Sequence, residues 1–391
     1  MAKKLRIDWF MFAITACLAL FGVVMVYSAS AMIALKESNN NTQYTYVFKQ
    51  FVFALVGLIG MYITSKIHYR WYQKTWVVWT IFAVTVVLLL ATFGFSSVGG
   101  AKRWIRFAGF SFQPSELAKI AIPMFLAWYF VKRENLIGNV WRGVIPAVAI
   151  FSVIVVLILA EKDLGTVIVL SAVFVTVYFA AGAKWIHVFS VTGVLGVIGV
   201  FMIWLEPYRM ARVLAFLNPE ENTEGVGYQV LQGLYGIGSG GIIGEGFAKG
   251  QQKLFYLPVP YSDFIFATIG EELGLVGTLT VLIAFGLLLW RGARAALLAP
   301  DRFGMLLGIG IITGLIVQAL FNISVVVSIL PTKGIPLPFI SYGGSSITIT
   351  LFAVGILLNL SQYSGFASAK EVDENEPKRR TRLTRTSARS V

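Results

Sequence analysis

Cysteine is nearly absent from this chain. Cys17 stands alone inside an apolar run, which excludes a disulfide framework and a cysteine metal site. Histidine is almost as scarce: His68 and His187 are the only two, both at or beside the ends of apolar segments. A histidine-based catalytic dyad or zinc centre is therefore not expected. Charge is thin as well, at 13% of 391 residues, against 57% hydrophobic residues and 38 glycines. A soluble domain of this length does not combine so few charges with so many long apolar runs. The chain reads as an all-α polytopic membrane protein.

Ten apolar segments approach the ~20 residues a bilayer requires. They fall at 8–30, 46–66, 75–95, 115–131, 142–160, 164–182, 185–205, 264–290, 303–328 and 342–361. The first follows only the short basic head Lys3, Lys4 and Arg6 and no small-residue cleavage site, as expected of a retained helix. An even number of spans places both termini on one side. With that side cytoplasmic, inner segments and tail carry 20 of the 32 basic residues, as the positive-inside rule prefers. Residues 1–363 then form one transmembrane domain. Residues 364–391 form a basic cytoplasmic tail too polar to fold, suited to anionic lipid or to a cytoplasmic partner.

The remaining basic residues are more informative, because the rule disfavours them outside. Lys102, Arg103 and Arg106 crowd one outer loop; Arg209, Arg212, Lys249 and Lys253 lie in a long outer loop, 206–263, before span eight; Lys333 precedes the last span. A connection of that length is usually functional or disordered, and its short apolar patches predict partly ordered structure along the membrane. A cationic outer face over an apolar body suits an anionic, lipid-linked ligand. It does not suit nucleic acid, because no basic stripe with interleaved aromatics runs along a soluble domain.

Carboxylates stand out against this background. Asp263 lies where the polar loop turns apolar, with Glu271 and Glu272 about two helical turns deeper, and such residues at membrane depth require a reason. Ser262 or Asp263 is placed to cap span eight, and on residue chemistry alone capping is the favoured role of Asp263. Glu116 and Lys119 share one face of span four, as a structural ion pair would. Asp163, in the polar turn Glu161-Lys162-Asp163, either caps span six or lines a cavity. The stretch GIGSGGIIGEGFAKG (236–250) lacks a phosphate-loop ending and reads as a flexible loop, with a backbone cradle for a diphosphate as the alternative. Prolines 331, 336 and 338 followed by Gly343 and Gly344 predict a broken or re-entrant segment, which at membrane depth must be enclosed by protein or water.

At these residues the chain resembles a known family, the SEDS proteins of the FtsW, RodA and SpoVE type. The strings that carry the resemblance are MVYSAS (25–30), RWI with FSFQPSELAK (103–119), EKDLGT (161–166), GYQVLQGLYGIGSGG (227–241), YLPVPYSDFIFATIGEELG (256–274) and PLPFISYGGSS (336–346). They run in family order across residues 8–362, with wording most like the division-associated members. The resemblance implies a ten-span peptidoglycan glycosyltransferase of the bacterial cell (inner) membrane, working at the division septum on lipid II. A lipid II flippase and an elongation-type polymerase are the alternatives. It further implies Asp263 as the catalytic base, and Lys102, Arg103, Trp104, Lys119, Arg212 and Lys249 as groups for the diphosphate or sugar. Glu116, Asp163, Glu271, Glu272, Ser341, Gly343 and Gly344 are supporting residues in this reading. Expected partners are a class B penicillin-binding protein transpeptidase and other division-complex membrane proteins. No metal ligand set is spelled out, although a divalent cation, Mg or Mn, bridging Asp263 and the diphosphate fits such chemistry.

Overall fold

The computed structural model describes residues 7–363 apart from 40, 98–99, 108–109 and 218–224. The basic head and the tail 364–391 lie outside the described residues. Twelve α-helices account for most of the chain, and each of the ten expected spans coincides with one of them. These are α1 (Trp9–Glu37), α2 (Thr45–Lys66), α3 (Thr75–Thr92), α4 (Pro114–Lys132), α5 (Ile145–Ala160), α6 (Leu164–Ala180) and α7 (Trp185–Trp204). The short α8 (Pro207–Leu217) and α9 (Val226–Ser239) lie within the long outer loop, followed by α10 (Ile265–Leu297), α11 (Arg302–Val326) and α12 (Gly344–Ser361). Among the described residues eight helices are long and apolar enough to cross a membrane, counting a π-type turn at Val140–Val144 with α5. The helix α6 is apolar but shorter, and α4 carries the Glu116 and Lys119 charges in its first two turns.

The bundle is built around α11, which packs on α4, α6, α10 and α12, while α12 lies along α2. Burial follows from that order: 72% of the apolar stretch of α11 is buried, but only 6% of that of α7, which hangs at the rim. Asp8, just before α1, pairs with Arg291 late in α10, and Tyr69 donates its backbone N–H to Asn359 near the end of α12. Both ends of the described chain therefore lie at the end of the bundle opposite Asp263.

Two elements depart from the expected pattern. A small antiparallel hairpin, β1 (Ile105–Phe107) and β2 (Phe110–Phe112), with Ile105 opposite Phe112, adds strand to a chain read as wholly helical. α10 runs on to Leu297 and is broken at Gly274, which takes φ 63°, a backbone conformation that L side chains rarely adopt. The break leaves carbonyls and amides without intrahelical partners, and the glycine-rich stretch supplies them. Glu245 and Gly246 donate to the Glu271 and Glu272 carbonyls, and the Gly241 and Ile242 carbonyls accept from Leu275 and Val276. That stretch is therefore neither a free loop nor a phosphate cradle: it starts as the last turns of α9 and then completes the broken helix.

Residues 328–343 contain no helix and cross the bundle as an irregular, largely buried strap. The sequence calls for a broken or re-entrant segment there, and the backbone is satisfied by protein groups as depth demands. Gln318 donates to the Pro336 carbonyl, Asn322 to that of Ile335, and Gln50 to that of Ser341; the Ser341 hydroxyl accepts from the Leu337 N–H.

Candidate functional site

At the end of the bundle where α4, α6, α10 and α12 begin, two adjoining cavities meet at one carboxylate. The first, of about 190 Å³, is lined by Trp104, Gln113, Glu116, Lys119, Thr166, Ser262, Tyr342, Gly343 and neighbours. The second, of about 380 Å³, is lined by Lys162, Tyr208, Arg209, Arg212, Thr332 and Lys333, and by the apolar Ile168, Ile203, Val213 and Phe321. Arg103, Asp163, Asp263 and Gly334 belong to both.

Asp263 ends the turn that precedes α10, and it does not cap the helix. The N-cap is Phe264, with no side-chain hydrogen bond to the first turn. The carboxyl is thus left for the cavities, accepting only from the Ser262 hydroxyl at 3.1 Å, while the Asp263 carbonyl is fixed by the Asn322 amide at 2.8 Å. Burial pushes its pKa above the ordinary carboxylate range, with Asp163 adding to the rise; Ser262, Arg212 and Arg103 oppose it. Such a group is a stronger base once ionised. Gly334 stands directly against it: a β-carbon there would lie 2.8 Å from Asp263 Oδ2.

Asp163 fills both roles that its position allows. It caps α6 through the Thr166 N–H at 3.2 Å and also accepts from the Thr166 hydroxyl and from Gln113 at 3.1 Å inside the first cavity. Glu116 and Lys119 form the expected ion pair, 2.7 Å long and nearly buried, and Lys119 donates a second bond to Gln318 on α11. The pair faces the cavity as well as joining two helices, and Glu116 Oε2 has no hydrogen-bond partner.

Arg212 donates to the Thr332 carbonyl, lies 4.4 Å over the Tyr208 ring, and keeps a buried Nε that has no partner among the described residues. Lys333 joins it in the second cavity, its pKa lowered to about 8 by burial and by Arg209 and Arg212. Sequence reasoning counted Arg209 and Lys333 only as outer charges. For Lys333 the signal was the proline-flanked stretch 331–336, which brings Gly334 against Asp263. Gln113 and Tyr342 were missed outright, since a single glutamine or tyrosine beside a span carries no periodic signal.

Other expected residues lie elsewhere. Lys102 is exposed, donates to the Phe93 carbonyl and lines neither cavity; Lys249 is exposed in the loop beside Gly246 and is likewise outside both. Lys253, grouped by sequence with the outer cations, is buried in an ion pair with Glu272 at 2.7 Å, to which the Ser28 hydroxyl adds a bond at 2.6 Å. Glu271 accepts from the Gln251 and Gln252 N–H groups. Both glutamates thus clamp the loop 248–253 onto the segment that carries Asp263, in line with a bracing role. Ser341 ties the strap to the same turn through the Ser262 carbonyl at 2.7 Å, and Gly344 leaves room for the Phe53 ring. Among the described residues no group of three or more His, Cys, Asp or Glu side chains is placed to hold a metal ion.

The family model described as "Cell cycle protein", for FtsW, RodA and SpoVE, matches residues 8–365. A protein of Trichlorobacter lovleyi named "Probable peptidoglycan glycosyltransferase FtsW" is 40% identical over 356 residues, covering 90% of this chain and 93% of the relative. Stage V sporulation protein E of Bacillus subtilis is 40% identical over 368 residues, covering 93% and 99%. Among solved structures, one described as the structural coordination of polymerization and crosslinking by a peptidoglycan synthase complex matches with a TM-score of 0.76 and 26% identity. It covers 92% of this chain and 98% of that one. The rod shape determining protein RodA of Thermus thermophilus matches with a TM-score of 0.67 and 25% identity, covering 92% and 98%.

Proposed function

The chain belongs to the FtsW, RodA and SpoVE family of cell cycle proteins, and from that premise we propose that Asp263 is the general base of a peptidoglycan glycosyltransferase whose two substrates meet in the adjoining cavities. The enzyme polymerises lipid II into β-1,4 glycan on the outer face of the cell membrane. The observation that carries the residue assignment is the sharing of Asp263 and Arg103 by both cavities.

The second cavity suits the donor. Its cations suit a diphosphate, and its apolar side, formed by Ile168, Ile203, Val213 and Phe321, suits the start of a polyprenyl chain entering beside the loosely packed α7. The first cavity, with Trp104, Gln113 and Tyr342, suits the sugar of the acceptor. The acceptor's N-acetylglucosamine 4-hydroxyl attacks the anomeric carbon of the donor's N-acetylmuramic acid, and its proton passes to the Asp263 carboxylate. The bond from that carbon to the phosphate oxygen breaks, and undecaprenyl diphosphate leaves with the electron pair. The α-linked donor becomes a β-1,4 glycan. Arg103, Arg209, Arg212 and Lys333 stabilise the charge that develops on the leaving group. A divalent cation, if bound, would be held by Asp263 and would supply further positive charge for the departing diphosphate.

The site's charged groups cluster at one end of the helices instead of lining a path through the bundle, which supports polymerisation over transport. Septal synthesis is supported by the relatives named FtsW, and a class B penicillin-binding protein partner by the likeness to a complex that couples polymerization with crosslinking. The test is a gel of glycan products from labelled lipid II. Asp263→Asn should lower the rate by about 10²- to 10⁴-fold, the usual share of a positioned base. Polymer formed at the parental rate refutes the assignment.

A further inference from the structure

Glu161 closes α5 beside the site, yet it lines neither cavity and has no part in the chemistry above. Its side chain is fully buried, 2.7 Å from the hydroxyl of Thr92, the last residue of α3. That same hydroxyl lies 2.7 Å from the Leu89 carbonyl oxygen. A threonine has one proton to donate, and a carbonyl oxygen can only accept. Both contacts are satisfied together only when Glu161 carries a proton, donates it to Thr92, and Thr92 donates to Leu89. The other carboxyl oxygen, Oε2, is buried without a hydrogen-bond partner among the described residues, which a neutral acid tolerates far better than an anion.

The backbone of this turn has a second job. Lys162 takes φ 64°, so that successive carbonyls point to one side. Arg103 donates Nε to the Glu161 carbonyl at 3.1 Å and Nη2 to that of Lys162 at 2.6 Å. Among the described residues Arg103 is in no ion pair. Neutral oxygens hold the guanidinium where the two cavities meet, and no carboxylate among the described residues is in direct contact with it.

We propose that Glu161 is a positioning residue acting as a neutral carboxylic acid: its proton, given to Thr92, fixes the turn that holds Arg103 and leaves the Arg103 charge to the anionic substrate. The inference rests on the reading of Arg103 as a substrate-binding cation. Ionised Glu161 would instead be an anion beside Arg103, competing for it. Burial pushes the carboxyl up to about 8 against the opposing pull of the Thr92 contact, with Asp163 adding to the rise and Arg103 opposing it. The charges facing it are those two, with the exposed Lys162 on its own turn and Lys102 at the Phe93 carbonyl beyond α3. The group is therefore neutral below about 8 and ionises as the pH rises through that value.

The experiment uses the full chain in two readouts. Infrared difference spectra of the parent against Glu161→Gln should show a protonated-carboxyl carbonyl band at neutral pH that disappears above about pH 8. Lipid II polymerisation should show the parental KM rising about tenfold between pH 7 and 9, since one pH unit above its pKa leaves about a tenth of the group protonated. Glu161→Gln, whose amide can still donate to Thr92, should keep the parental KM at pH 7 and lose that rise. Lys333, which also titrates near 8, contributes to both chains and cancels in the comparison. Absence of the band at neutral pH overturns the proposal whatever the substrate. A band with identical KM profiles in the two chains overturns the link to Arg103. An unchanged KM in Arg103→Gln refutes the reading of Arg103 itself. Should Glu161→Gln fail to fold, Thr92→Val must shift the band to the frequency of a carboxyl without a hydrogen-bond acceptor; an unmoved band refutes the proton count.

Discussion

Replacing Gly334 by alanine places a methyl carbon 2.8 Å from Asp263 Oδ2, where ordinary contact begins at 3.4 Å. One of the two must move. Gly334 is not among the residues with positive φ, so its backbone accepts alanine and has no reason to shift. The atom that collides is the end of a short side chain held only by the Ser262 hydroxyl. The carboxylate should therefore swing away while the fold stays intact. Stability should hold or rise slightly, by about 0.4–1 kcal/mol, because alanine restricts the unfolded chain. The rate should not hold: a displacement approaching 1 Å at a positioned catalytic group costs on the order of 10²-fold. Gly334→Ala is expected to lose about 10- to 100-fold in kcat with KM within about threefold of the parent. Initial rates on labelled lipid II, with thermal unfolding of the same preparations, measure both quantities. A rate within twofold of the parent would show that the position of Asp263 against Gly334 has no bearing on the chemistry.

Other outcomes follow from the same geometry. A base must be ionised, and burial raises the pKa of Asp263, so kcat/KM should fall on acidification at a pH above the ordinary carboxylate value near 4. Arg212 holds that pKa down, so Arg212→Gln should move the acid limb to higher pH; a limb that stays fixed or moves down contradicts the assignment. Lys253→Met leaves Glu272 charged and buried, at a cost of about 3–5 kcal/mol, and adding Glu272→Gln should restore most of the lost thermal stability. A double variant no more stable than the single one would rule out an uncompensated charge as the cause. Chelation should abolish polymer formation, and Mg or Mn should restore it, if a cation completes the charge at the diphosphate; full activity after chelation and dialysis removes the metal from the scheme.

The apolar runs determined the membrane class and the helices almost by themselves, because in lipid every backbone polar group must be paired within its own segment. Some expected and observed spans agree closely, 164–182 against Leu164–Ala180 for one, where the apolar residues stop at the helix end, whereas α1 and α10 run on past their expected ends. The sequence also marked Asp263, Asp163 and the Glu116–Lys119 pair, because a charge at membrane depth is conspicuous in any order of reading. Tertiary structure alone decided what each of these charges does. Lys253 and Arg212 look alike along the chain, but one is spent on Glu272 and the other faces a cavity. Asp263 stood one residue from a capping position, and only the placement of Phe264 at the N-cap freed its carboxyl. The break at Gly274 and the loop that fills it are equally invisible in one dimension, since the hydrogen bonds that complete α10 come from residues some thirty positions earlier. Local composition fixes which solvent a segment prefers; which charges meet depends on contacts between segments distant in sequence, and those exist only in the folded bundle.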